Sequence, residues 1–315
     1  MSIGIESADY VDVTIVDDCS IENYDDIIAF FAQFFPVRIL KLEKNSGPGN
    51  ARQYGIDHTY NQYLTFLDCG DYFISPDILE AMHYTIEENP TPHMFCWDYI
   101  SSRDEQQSNE DNRMHGKVYR REFLQQHHIR FNPKESYINE DIGFNMACRM
   151  ILKQEEIQRQ RKLLFEDSTN VLIWDKRDDS ISKKNNYAIY YSTQNMALAE
   201  NGGYAIRLAR RERVNDNIIA NQIYEIMCDM YFRYLSTVAA RPEFIEIAFD
   251  GALRFYCQYF RAFGKYNVQL LMEMYYNTLV QYLADPLDDI RTKWTRLDFL
   301  EFLDMLEEQA NNKGN

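Results

Sequence analysis

The sequence predicts an α/β domain, built on a mostly parallel sheet with flanking helices, followed by an all-helical C-terminal region. Three observations carry this. Up to about residue 180, short β-rich runs alternate with helical segments, the pattern of a sheet with helices on both faces. Acids or tight turns close several of those runs, as at the ligand-binding ends of strands. From about residue 187 onward the apolar spacing is helical almost throughout. The expected division is therefore 1–186 and 187–315.

The elements follow in order. VDVTIV (11–16) reads as a buried strand and ENYDDIIAFFAQFF (22–35) as a helix. VRILKL (37–42) is a strand, NARQYGIDHTY (50–60) a helix and YLTFLD (63–68) a strand. SPDILEAMHYTIEEN (75–89) is a helix, with Ser75 placed to cap it and Pro76 at its first position. MFCWDYI (94–100) is a strand, and SSRDEQQSNEDNRM (101–114) is a polar loop without periodicity. Beyond 187 the stripes IYEIMCDMYFRYL and LLMEMYYNTLVQYL are expected to be core, with breaks at Pro242 and Pro286.

Bulk properties exclude several classes. The 315 residues carry a formal charge of -16, so attraction to nucleic acid or anionic lipid is not expected from net charge. No run approaches the 18 or so apolar residues of a membrane span. The start, MSIGIESADYVD, has neither the basic nor the apolar section of a signal peptide, so a cytoplasmic location is expected. Six cysteines without a CxxC pair suit reduced thiols. The absence of HExxH and GxSxG leaves hydrolase chemistry without support, and the histidines are poor metal candidates by spacing.

Four stretches carry chemistry. In VTIVDDCS (13–20), Asp17 and Asp18 end a strand, where a carboxylate can accept from a base N–H or a ribose hydroxyl; an Asx turn is the alternative. In NSGPGNARQYGID (45–57), Gly47 and Gly49 allow a close backbone approach to a ligand, and the next helix offers free N–H groups. In TFLDCGDYF (65–73), Asp68 and Asp71 suit Mn2+ or Mg2+ carrying a diphosphate, or simply a turn. In ESYINEDIGFNMAC (135–148), Glu140 and Asp141 begin a helix, either for dipole reasons or to supply a general base. HGKVYRREFL (115–124) and VLIWDKRDDSIS (171–182) add cations beside strands.

Taken in order, VDD-C-S, N-x-GPG-x-AR-x-x-GI, FLD-x-x-D, K-x-YRR-x-FL, NED-x-x-F and W-x-x-R-x-x-SIS resemble the catalytic domain of family 2 glycosyltransferases, over roughly residues 8–185. The GPG-x-ARQYGID form resembles bacteriophage versions. The resemblance implies a GT-A, Rossmann-like fold and an inverting transfer from a nucleotide-sugar, UDP-linked, to a hydroxyl. The acceptor it implies is a surface glycan or a hydroxymethylated base in phage DNA. It implies donor contacts from Asp18, Asn45, Arg52, Asp68, Lys117 and Arg177, a metal on Asp68 and Asp71, and Asp141 as catalytic base. Two departures stand out. Gly70 occupies a position where the family usually has Asp, and the family's first strand has no counterpart before VDVTIV, so a start upstream of Met1 is expected. The other reading is a non-catalytic module of the same fold, with the Tyr-rich helices mediating self-association.

Overall fold

The computed structural model describes residues 10–34, 36–102, 107–108, 112–175, 187–240, 242–263 and 296–313. The chain forms two compact units, Met1–Arg177 and Asp178–Asn315.

The first unit is α/β. Its elements are β1 (Val13–Asp17), α1 (Asp25–Phe31), β2 (Val37–Lys41), α2 (Pro48–His58), β3 (Tyr63–Thr65), β4 (Tyr72–Phe73), α3 (Ile78–Glu88), β5 (Met94–Ser101), β6 (Gln107–Ser108), β7 (Lys117–Arg120), α4 (Arg121–Gln126), α5 (Glu140–Arg159) and β8 (Leu164–Trp174). Strands β1 and β2 pair in parallel, with Val13 opposite Val37 and Asp17 opposite Lys41. A six-stranded sheet runs β3-β7-β5-β8-β4, with β6 on β5.

That sheet is mixed, which corrects the expectation of a mostly parallel one. Only β5 and β8 pair in parallel within it; β3/β7, β5/β7, β5/β6 and β4/β8 are antiparallel. The cause lies in the connections. Among the described residues no helix separates β5 from β7, so the chain returns beside β5 in the opposite sense. Helices α4 and α5 separate β7 from β8, and β8 runs parallel to β5.

Alternation along β7 assigns the two faces of the sheet. Val118 packs with Phe95, Trp97, Leu79 and Met82, so α3 covers one face. Tyr119 meets Phe144 at 5.4 Å, and Phe144 stacks on Phe131 at 4.3 Å, so α5 covers the other. Lys117 shares the Tyr119 side by the same alternation and is buried.

Two boundaries differ from expectation. Helix α3 begins at Ile78 with Asp77 as its N-cap, because residues 75–77 form a turn closed by Ile78 N–H on the Ser75 carbonyl. Strand β3 ends at Thr65, three residues before Asp68.

The second unit contains α6 (Tyr187–Arg211), α7 (Asp216–Ala240), a 3-10 turn at Pro242–Phe244, α8 (Ile245–Phe255), a π-helical turn at Tyr256–Phe260 and α9 (Arg296–Lys313). The expected core stripe is buried at Ile223, Ile226, Met227, Met230, Tyr231 and Phe232. Asn195 on α6 ties three helices together, donating to the Met230 and Ala248 carbonyls at 3.1 and 3.0 Å. The arginines of RLARRER are exposed while Leu208 and Ala209 point inward, the pattern of a solvated helix face. The stretch LLMEMYYNTLVQYL and Pro286 lie outside the described residues. All six cysteines are free, and among the described residues no helix is long and apolar enough to cross a membrane.

Candidate functional site

The acids at the end of β1 turn toward different partners. Asp17 accepts from Ser20 N–H at 2.7 Å and pairs with Lys41 at 3.2 Å. Hydrogen bonds from the Tyr24 hydroxyl and the Ser20 amide hold its carboxyl well below the usual range. This is the turn that the sequence allowed as an alternative. Asp18 reaches instead across to the loop before α2. Its two oxygens accept from Ser46 N–H at 2.7 Å and Gly47 N–H at 2.8 Å. Asn45 closes the same contact, donating to the Asp18 carbonyl at 3.3 Å.

That loop is anchored from the other end of the unit. Gly49 N–H donates to the Ser136 carbonyl at 2.9 Å, and Ser136 Oγ donates to the Ser46 carbonyl at 2.6 Å. The Tyr137 hydroxyl donates to Asn45. Gly47 sits at φ +86°, and a Cβ there would come within 2.8 Å of the Ser136 carbonyl oxygen, so the approach needs glycine. Loop 45–49 is thereby fixed beside the segment leading into α5.

Arg52, one turn into α2, joins the remaining acids. Its guanidinium donates to Glu140 Oε1 at 2.6 Å and to both Asp68 oxygens at 2.7 and 2.9 Å. It also lies over the Phe131 ring at 5.9 Å. Burial works against its charge, but Asp68 and Glu140 outweigh burial and keep it cationic. At Asp68, burial pushes the carboxyl up, and the Arg52 charge overrides this and brings it below the usual range.

Glu140 and Asp141 open α5 after Asn139, which adopts φ +56°. Burial first, then the Asp141 charge, push the Glu140 carboxyl up to about 7 against the pull of Arg52. Asp141 accepts from Ile142 N–H at 2.9 Å and stands 3.7 Å from Arg113. The fully buried Asn145 sets this corner. It accepts from the Tyr119 hydroxyl at 2.6 Å and donates to the carbonyls of Asn112 and Arg113 at 3.2 Å each.

The stretch 68–71 takes the turn that the sequence allowed. It is closed by Asp71 N–H on the Asp68 carbonyl at 3.0 Å, with Gly70 at φ +109°. That backbone conformation strains any residue with a Cβ, which accounts for the missing acid there. The turn also folds the two carboxylates together. Asp71 Oδ1 accepts from Asp175 N–H at 2.9 Å, and Oδ2 lies 3.1 Å from His115 Nε2. One ligand atom each from Asp68, Asp71 and His115 lies within 4.8 Å of the others. With a small inward shift, an ion bound at about 2.1 Å fits between them.

The structure thus brings Arg52, Asp68, Asp71 and Asp141 into one neighbourhood, and ties Asp18, at the end of β1, to the loop before α2 that carries Asn45. Lys117 is buried on the α5-facing side of β7. Arg177 lies outside the described residues. Sequence reasoning missed His115, the first residue of the HGKVYRREFL stretch, and passed over Glu140 for its neighbour.

Known proteins share these residues' sequence context. Residues 6–155 match the model of glycosyl transferase family 2. An uncharacterized glycosyltransferase of Haemophilus influenzae is 33% identical over 89 residues, covering 28% of this chain and 29% of that protein. The succinoglycan biosynthesis protein ExoO of Rhizobium meliloti is 37% identical over 73 residues, covering 23% and 20%. The matched stretches therefore span under a third of either relative. Among solved structures, S. aureus TarS 1–349 in complex with UDP superposes with a TM-score of 0.47 at 14% identity, over 81% of this chain and 85% of that one. The mannosyltransferase PcManGT of Pyrobaculum calidifontis, in complex with GDP-Man and Mn2+, gives 0.46 at 13%, over 96% and 78%. The family model overlies β1 through most of α5, so the match to glycosyl transferase family 2 rests on the stretch that supplies Asp18, Arg52, Asp68, Asp71 and Asp141.

Proposed function

We propose that the chain transfers a sugar, with inversion, from a nucleotide-sugar to an acceptor hydroxyl. The observation that carries this is the Arg52 bridge. It holds a carboxylate of the 68–71 turn and the first acid of α5 within one guanidinium's reach, although these acids lie far apart in the chain. Asp141 takes the acceptor proton as that oxygen attacks the anomeric carbon. The bond from that carbon to the diphosphate oxygen breaks, and the nucleoside diphosphate leaves with the electron pair. Glu140 is tied to Arg52 and orients it; Asp141 is not in that ion pair and carries the base role.

Asp18 and Asn45 shape the loop that receives the nucleoside. Arg52 and Lys117 supply positive charge toward the diphosphate, and Arg177 is assigned to the same donor set from the sequence. The Asp68–Asp71 pair fits Mn2+ or Mg2+, which when bound neutralises charge on the leaving diphosphate. UDP is the nucleotide assigned. The acceptor assigned is a surface glycan, in keeping with the succinoglycan relative; the charge of -16 disfavours a modified base in phage DNA. A non-catalytic reading draws on one observation, that both Asp18 oxygens are already taken by the protein's own amides.

The test is mass spectrometry of products from a panel of nucleotide-sugars offered with glycan and hydroxymethylated DNA acceptors. Transfer from a UDP-sugar, lost in Asp141→Asn and kept in Glu140→Gln, is expected. No transfer with any donor and acceptor favours the binding module.

A further inference from the structure

We propose that His115 is a third protein ligand of the cation held by Asp68 and Asp71, and that its nitrogen biases the site toward transition ions such as Mn2+ or Co2+ over Mg2+. This rests on the metal reading of the two aspartates and extends it to a residue outside that pair.

Three observations point the same way. First, His115 Nε2 faces Asp71 Oδ2 at 3.1 Å, and the Asp68 carboxylate completes a triangle no wider than 4.8 Å. Second, Asp71 is already oriented. Its other oxygen accepts the Asp175 amide at 2.9 Å, so Oδ2 is the atom left to face the ring. Such a fixed outer contact is what sets the direction of a metal-ligating carboxylate. Third, the imidazole is wedged between aromatic rings, with Tyr99 at 4.8 Å and Trp174 at 5.4 Å between centroids. Its side chain is only 11% exposed. Among the described residues His115 Nδ1 is buried with no hydrogen-bond partner. Packing, not a second hydrogen bond, therefore aims Nε2 at the carboxylates.

Gly70, between the two aspartates in sequence, has no side chain to offer, so the donor set is two oxygens and one nitrogen. Ligation needs the Nε2 lone pair, which places the ring proton on Nδ1. Carboxylate and water ligands alone suit Mg2+. An imidazole ligand raises affinity for ions further along the transition series.

The experiment uses the full chain with Mn2+, first alone and then with UDP, read by pulsed electron paramagnetic resonance. The expected result is nuclear modulation from one imidazole nitrogen on the bound Mn2+. It disappears in His115→Gln, with Mn2+ affinity falling by roughly tenfold or more and Mg2+ affinity changing little. The wild-type spectrum needs no variant, so a folding defect in His115→Gln, checked by thermal melting, does not block the test. If Mn2+ binds and depends on Asp71 but shows no nitrogen modulation, His115 is only a clamp on the turn and this proposal fails while the metal reading stands. If Mn2+ does not bind at all, with or without UDP, the metal reading fails and this proposal with it.

Discussion

Arg52 and Glu140 stand 88 positions apart in the chain and meet at 2.6 Å, inside a corner where both side chains are about nine-tenths buried. The same guanidinium grips Asp68 at 2.7 Å. One cation thus fixes the distance between the metal-candidate turn and the start of α5.

Removing that cation should be costly. Arg52→Ala leaves Glu140 buried and unpaired, while Asp68, half-exposed, is screened by solvent and contributes little. The expected loss is about 3 kcal/mol in urea denaturation at pH 7.5. Adding Glu140→Gln to Arg52→Ala should recover a substantial part. A single variant as stable as the wild type would show that the bridge does not hold the corner.

Glu140 gives a pH signature. Its folded-state carboxyl is raised to about 7 from an ordinary 4.5, so the protonated form is the one the fold favours. The associated stability is complete below about 4.5 and is lost as pH rises through about 7. Between pH 5 and pH 8 the wild type should lose stability relative to Glu140→Gln by on the order of 2 kcal/mol. Parallel stability curves for the two proteins over that range would contradict this.

Asp18 should matter through the loop it holds. Asp18→Ala removes the acceptor for two amides, at 2.7 and 2.8 Å. A loss of about 1 to 3 kcal/mol in stability is expected, together with weaker nucleotide binding as residues 45–49 loosen. Hydrogen exchange of the Ser46 and Gly47 amides reads the loop directly; unchanged protection in the variant would mean that Asp18 does not anchor it.

Gly70 is a backbone requirement. At φ +109° an alanine is strained, and Gly70→Ala should cost about 1 to 2 kcal/mol by thermal denaturation. Gly70→Asp, despite restoring a carboxylate between the two aspartates, should be destabilised to a similar extent. Stability equal to wild type in both would remove the explanation offered for the glycine.

Much of the first unit could be read from periodicity. VDVTIV, VRILKL and MFCWDYI are β1, β2 and β5, and Arg52 joins Asp68 of the FLD stretch to Glu140 of the ED stretch. Strand direction could not be read, because it depends on whether a helix intervenes between paired strands, and the long polar stretch after β5 gave no sign of turning back. His115 was invisible for a related reason. No local spacing links it to Asp71, 44 positions away; only the pairing of β7 with β5 and the bulk of Tyr99 and Trp174 bring it there. The partners of Asp18 could not be read either. The sequence left Asp18 either a ligand contact or part of an Asx turn, and the fold engages its two oxygens with the Ser46 and Gly47 amides, across 28 and 29 positions.

The central claim is that these converging acids form a metal-assisted nucleotide-sugar site. Calorimetric titration of UDP into the full chain, with and without Mn2+, tests it most directly. The account predicts binding that requires the ion and weakens in Asp71→Asn. The absence of binding to UDP or any other nucleoside diphosphate, with the ion present and the protein folded, would contradict it.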